Sequence, residues 1–225
     1  MTRRARSEAA FLDVPEGDVR VSVRLDGEVG GAPLILFGHG AGAGIDHPLI
    51  VAIADTLVAE GLAVLRYQFP FMERQGGRGF GRDAPALATA TVAAAAAFAT
   101  TRAAGRPLFA GGHSYGGRMT TLAAAEGRLG GVAGLVLMSF PLHAAGRQPP
   151  TVAACERAAH LPEIDVPMLF LSGERDAMAR SPRLEEVVHG CRAATLTRIE
   201  GADHGWKTAR RRWPDGPFGA VAAEV

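Results

Sequence analysis

The residues best placed to do chemistry are a serine, a late histidine and a carboxylate between them. Ser114 stands in Gly112-His113-Ser114-Tyr115-Gly116, after the apolar run Leu108, Phe109, Ala110 and before a stretch able to continue as a helix to about Glu126. This is the G-x-S-x-G pattern of strand, sharp turn and helix, with the serine at the tip of a strained turn. Glycine is needed on either side because backbone passes close to backbone and a Cβ would collide. The turn exposes the hydroxyl at a helix N-terminus, where unpaired N–H groups and the helix dipole favour negative charge. In a chain with 29 glycines the pentapeptide can arise from composition alone. Its weight comes from the elements around it and from residues suited to the other roles.

A serine hydroxyl needs an adjacent base, usually a histidine oriented by a carboxylate. In the order Ser, then Asp or Glu, then His, only His189 and His204 follow a plausible acid. His204 lies in Gly201-Ala202-Asp203-His204-Gly205, just after a predicted strand, whereas His189 lies near the end of a predicted helix, so His204 is the better base. Asp176 follows the strand at Met168 to Leu171, with Glu174 as its rival in the same turn. Asp203 is set aside because a neighbour in sequence seldom reaches round to the ring's Nδ1–H. Two N–H donors are needed for a tetrahedral oxyanion. Tyr115, after the serine, and Ala41, in the loop after an earlier strand, are the candidates.

That earlier loop, Gly38-His39-Gly40-Ala41-Gly42-Ala43, also fits the dinucleotide fingerprint G-x-G-x-x-G/A. The fingerprint expects an acid at the end of the next strand. Here Arg66 and Tyr67 stand there, and Arg66 would suit a 2′-phosphate, which keeps a nucleotide-binding oxidoreductase as a competing expectation.

Strands and helices alternate at a spacing that indicates a parallel sheet covered on both faces. Residues 1–17 carry charge and little pattern and are expected to be a loose arm. Val19, Val21, Val23 and Leu25 alternate with polar residues as in a half-exposed edge strand, and Leu34 to Phe37 is apolar throughout, as in a strand buried on both faces. A helix is expected from about Pro48 to Glu60, then a strand from Leu62 to Tyr67. Residues 68–85 read as a long loop without an element, and an alanine-rich helix follows to about Ala104. After the serine come strands at Val132 to Met138, Pro167 to Leu171 and Ala194 to Ile199, with a helix from Pro182 to His189. The segment from Phe140 to Asp165 is irregular apart from one short helix around Val152 to Ala159. Every candidate group follows a predicted strand, so all should meet at the carboxyl edge of the sheet.

Arg66, Arg74, Arg78 and Arg82 border the long loop, with Phe69, Phe71, Met72 and Phe80 among them. They read either as a substrate wall for an anionic group or as a solvated, flexible loop. The net charge of +1, with 48% apolar residues, marks no nucleic-acid binder. The N-terminus lacks the apolar core of a signal peptide, and the longest weakly apolar run, Val92 to Ala99, is too short to span a bilayer. Cys155 and Cys191 sit in no metal-ligand pattern and fit reduced thiols. Together these features point to a cytoplasmic protein.

On H-G-A-G-A-G, the segment Arg66 to Met72 (R-Y-Q-F-P-F-M) and G-G-H-S-Y-G-G-R-M, the chain resembles the α/β-hydrolase superfamily in its dienelactone-hydrolase-like branch. Dienelactone hydrolases proper carry cysteine where this chain has Ser114. More closely, these motifs resemble a group of predicted hydrolases that includes a testis-expressed protein and a domain of a non-specific-lethal chromatin complex subunit. The resemblance implies Ser114 as nucleophile, Asp176 as acid, His204 as base, and oxyanion donors at Ala41 and Tyr115, with no metal or organic cofactor. The stretch between Met138 and Pro167 is too short for a large lid, and little chain after His204 remains for a final helix.

The expectation is therefore a three-layer α/β/α domain over residues 18–225, with a mostly parallel sheet. It would cleave an ester or related acyl bond of a small soluble substrate, without nucleic acid or membrane as partner. The competing class is a binding or scaffold protein that keeps the fold without activity.

Overall fold

The structure is a computed structural model, and it describes residues 7–28, 31–76, 79–146, 151, 155–180 and 182–208. Eight strands form one sheet: β1 (Ser7–Val14), β2 (Val19–Asp26), β3 (Leu34–Gly38), β4 (Ala63–Tyr67), β5 (Leu108–His113), β6 (Val132–Met138), β7 (Met168–Gly173) and β8 (Ala194–Ile199). Their spatial order is β1-β2-β4-β3-β5-β6-β7-β8. The first two pairings, β1 with β2 and β2 with β4, are antiparallel, and all the others are parallel.

The apolar strands serve two cores at once, because successive side chains leave opposite faces of a strand. Leu34 and Leu36 of β3 enter one core with Leu135 and Leu137 of β6. Ile35 and Phe37 enter the other with Val136 and Met138. Helices α3 (Pro85–Ala103) and α4 (Tyr115–Ala125) pack on the first face, and α1 (Pro48–Ala59) on the second. The buried stripe of α3 is mostly alanine (Ala88, Ala95, Ala96, Ala99, Ala103), so little side-chain bulk separates helix from sheet. Pro85 opens α3, and a left-handed Ala104 (φ 49°) followed by Gly105 (φ 80°) ends it.

Three local expectations are corrected. Ser7 to Val14, taken as part of a loose arm, is the edge strand β1, and β2 is therefore an inner strand. Residues 68–85 are not all loop: α2 (Pro70–Arg74) forms there, its Phe71 N–H donating to the Asp83 carboxylate (3.1 Å), while Glu73 accepts from the Ser22 N–H. In place of a short helix around residues 152–159, the described residues hold two 3₁₀ turns, Glu156–Ala158 and Leu161–Glu163. Val152 itself, Arg78 and all residues beyond 208 lie outside the described residues. The last helix among the described residues is α5 (Arg183–His189).

Candidate active site

The turn after β5 has the conformation that its glycines make possible. Ser114 sits at φ 52°, ψ −107°, and its N–H donates to the Met138 carbonyl (2.8 Å). Such backbone in a residue with a Cβ costs on the order of 1–3 kcal/mol, and surrounding contacts must hold it there. Gly116 lies so close to β3 that a Cβ on it would collide with the Gly38 carbonyl, and one on Gly112 would strike the same oxygen. These two glycines let the elbow lie against the neighbouring strand.

Three side chains from three strand ends meet at this point. His204 Nε2 is 2.9 Å from Ser114 Oγ, and His204 Nδ1 is 2.9 Å from both carboxylate oxygens of Asp176. Asp176 is fully buried and also accepts from the Met178 N–H (2.8 Å). With Nδ1–H donating to Asp176, Nε2 is left as the acceptor for the serine hydroxyl. The rival residues stand elsewhere: Glu174 accepts from the Gly201 N–H (3.0 Å), His189 is exposed at the end of α5, and Asp203 closes its own turn on the N–H groups of Gly205 and Lys207.

The loop bearing His204 is pinned to the end of β7. Arg175 N–H donates to the Ala202 carbonyl (2.9 Å), and a Cβ on Gly173 would collide with that same carbonyl. Ala202 and Trp206 are fully buried beside it. His113 adds a tie that sequence reasoning missed. Its Nε2–H donates to the His204 carbonyl (2.9 Å), so the residue before the serine holds the histidine loop. Burial drives the His113 pKa down to about 4, with proximity to His204 lowering it further. A polar residue at the last position of a strand buried on both faces was the available signal.

Gly38 pairs with Gly112 across β3 and β5, so the loop after β3 begins beside the elbow. A Cβ on Gly40 would stand 3.0 Å from His113 Nδ1, which puts Gly40 and Ala41 against the residue preceding Ser114. His39 shapes this loop: its Nδ1–H donates to the Gly40 carbonyl (2.8 Å), and its Nε2 accepts from the Phe69 N–H (3.0 Å). Complete burial holds its pKa down to about 4, which keeps the ring neutral and both bonds intact. Tyr115 is the first residue of α4, and the N–H of a first helical residue has no partner one turn back.

Arg66 is not available to a ligand. It is buried and grips Asp26 with two bonds (2.6 and 3.0 Å), while a third N–H donates to the Ile45 carbonyl. Neither a nucleotide 2′-phosphate nor a substrate anion can claim a guanidinium so engaged. Arg74 is likewise paired with Asp83 (2.7 Å). The cysteine thiols are separate, donating to the Thr151 and Val187 carbonyls. Among the described residues no helix is long and apolar enough to cross a membrane.

The strand order, the glycine-lined elbow and the carboxyl-edge meeting of serine, histidine and aspartate define the α/β-hydrolase fold, here without a large lid. The Alpha/beta hydrolase domain family model matches residues 31–214, and the chain belongs to that family. Among solved structures, the dienelactone hydrolase of Anabaena variabilis is similar with a TM-score of 0.73 at 22% identity, over 99% of this chain and 95% of that one. Est1E of Butyrivibrio proteoclasticus superposes with a TM-score of 0.71 at 18% identity, over 96% and 95% of the two chains. An α/β serine hydrolase without a lid from Xanthomonas campestris gives a TM-score of 0.67 at 18% identity, over 97% and 91%. No curated protein sequence matches the chain significantly.

Proposed function

We propose that the protein is a serine hydrolase that cleaves an ester or related acyl bond of a small soluble substrate through an acyl-enzyme. The observation that carries this is the unbroken chain from Ser114 Oγ through His204 to buried Asp176. Ser114 Oγ attacks the substrate carbonyl carbon as its proton passes to His204 Nε2. The carbonyl oxygen becomes an oxyanion facing the N–H groups of Ala41 and Tyr115. His204 then protonates the leaving group, and the carbon–leaving-group bond breaks, leaving the acyl-serine. Water, deprotonated by His204, attacks that ester, and the returning proton restores Ser114. Asp176 holds the ring in the productive tautomer and stabilises its protonated form. No metal or organic cofactor enters these steps.

The close group of dienelactone-hydrolase-like proteins named above, a single domain, and a cytoplasmic setting belong to the same proposal. Family membership supports the first, the continuous sheet the second, and the unpaired thiols the third. With β1 paired into the sheet, the domain takes in Ser7–Val14, ahead of residue 18.

The test is labelling with a serine-reactive fluorophosphonate, mapped by mass spectrometry. The expected adduct is on Ser114, absent in Ser114→Ala and strongly reduced in His204→Ala. Folded protein that takes up no label would overturn the mechanism and favour a binding protein that retains the fold.

A further inference from the structure

Arg82, Arg118 and Arg157 come from three separate segments, which contacts of their sequence neighbours bring to α4. Arg118 N–H donates to the Ser114 carbonyl (3.0 Å), so Arg118 stands one helical turn from the serine. That is about 6 Å along the axis, and helical side chains lean back toward the N-terminus, here toward the site. Tyr115, three residues earlier on the same face, reaches the carbonyl of Asp83, the neighbour of Arg82 (3.5 Å). From the other side, His160 donates to Thr121 of α4 (2.8 Å), and Arg157, in the preceding 3₁₀ turn, donates to the His143 carbonyl (2.8 Å).

Among the described residues no carboxylate pairs with any of the three guanidiniums, and the buried Nε of Arg118 has no hydrogen-bond partner. Their electrostatics agree. Burial lowers the pKa values of Arg118 and Arg157, and each is lowered further by neighbouring arginines. His160 is pushed down to about 4 by burial and by Arg118, so it adds no charge of its own but can still accept through Nδ1. A protein tolerates partly desolvated, mutually repelling cations where an anion joins them.

We infer that Arg82, Arg118 and Arg157 form a subsite for a doubly charged oxyanion, a phosphate monoester on the non-reacting end of the substrate. Three uncompensated positive charges match a dianion better than a carboxylate, and guanidinium forks bind phosphate oxygens in pairs. The inference rests on the serine-hydrolase reading only for where the scissile carbonyl lies, about one small linker from the anion.

The test compares nitrophenyl acyl esters that differ only in a terminal phosphate, carboxylate or hydroxyl. Calorimetric titration with inorganic phosphate at low ionic strength runs beside it. The phosphate ester is expected to exceed the hydroxyl ester in kcat/KM by about tenfold or more, an advantage that shrinks with added salt. That ratio should fall about tenfold in Arg118→Gln and in Arg82→Gln, the latter at an exposed position where folding is not at stake. A ratio near one, a ratio unchanged in both variants, or a preference for the carboxylate ester overturns the assignment. If no ester is cleaved and Ser114 takes no fluorophosphonate, the hydrolase reading fails by itself, and calorimetry decides the subsite: phosphate heat lost in the arginine variants sustains it, and absent or unchanged heat overturns it.

Discussion

Arg66 is buried and Arg118 half-buried, and the two have been treated in opposite ways. Arg66, on β4, has the carboxylate of Asp26 on β2 and a carbonyl on its donors. Arg118, beside the elbow, has a buried Nε with nothing on it and other arginines for company. The first is a finished ion pair that ties the sheet to the loop after β3. The second is half of one. The same distinction separates the Ser114–His204–Asp176 chain and His39, whose ring nitrogens and carboxylate oxygens have their partners, from the cationic rim, where partners are missing.

Breaking the matched side has the largest consequence. Asp176→Asn is expected to lower kcat/KM for an acyl ester by on the order of 10³-fold or more, because the histidine loses its orienting acceptor. Steady-state kinetics checks this, and a loss below tenfold would remove Asp176 from the mechanism. Next in size, Arg66→Met should destabilise the fold by about 3–5 kcal/mol, since it leaves Asp26 buried and unpaired. A shifted denaturant midpoint at unchanged slope is the measurement.

The buried neutral histidines set the response to acid. His39 and His113 are held down to about 4 in the folded protein, against 6.5 for a free histidine. Below pH 6.5 the unfolded chain binds protons that the folded one refuses. Their stabilising contribution is therefore complete above pH 6.5 and drains as pH falls to about 4. Each ring should account for about 1.4 kcal/mol per pH unit in that window, and removing one, as in His39→Gln, should flatten the measured stability profile by that slope. The smallest effect sharpens the opening contrast. Arg118→Met keeps the methylene packing and removes an uncompensated charge, so stability should stay level or rise by about 1 kcal/mol, opposite in sign to Arg66→Met.

Much of this was legible from residue types in order. The doubly buried strands announce themselves as apolar runs, and β6 and β8 were expected at the bounds observed, Val132–Met138 and Ala194–Ile199. Ser114, Asp176 and His204, the three side chains that meet, were nameable because each follows such a strand. What escaped depends on pairing between distant segments. In β1 only Leu12 and Val14 are buried, too short an alternation to show as a strand. Helix α2 is five residues long, below the length at which a helical period registers. Arg66 looked available because nothing in its own segment reveals that Asp26 lies across a strand pairing. The cluster of Arg82, Arg118 and Arg157 is invisible in sequence for the same reason.

The hydrogen bond between Ser114 and His204 spans 90 residues of chain, and the tie from His113 to the His204 carbonyl spans 91. During synthesis the elbow can emerge and pack on β3 long before His204 has been made. On the proposed mechanism, a nascent chain ending short of β8 carries the serine without the group that would activate it. On that mechanism, reactivity would begin only when β8 docks and brings its loop to His113, so an adduct on a stalled, ribosome-bound chain would time the completion of this part of the sheet.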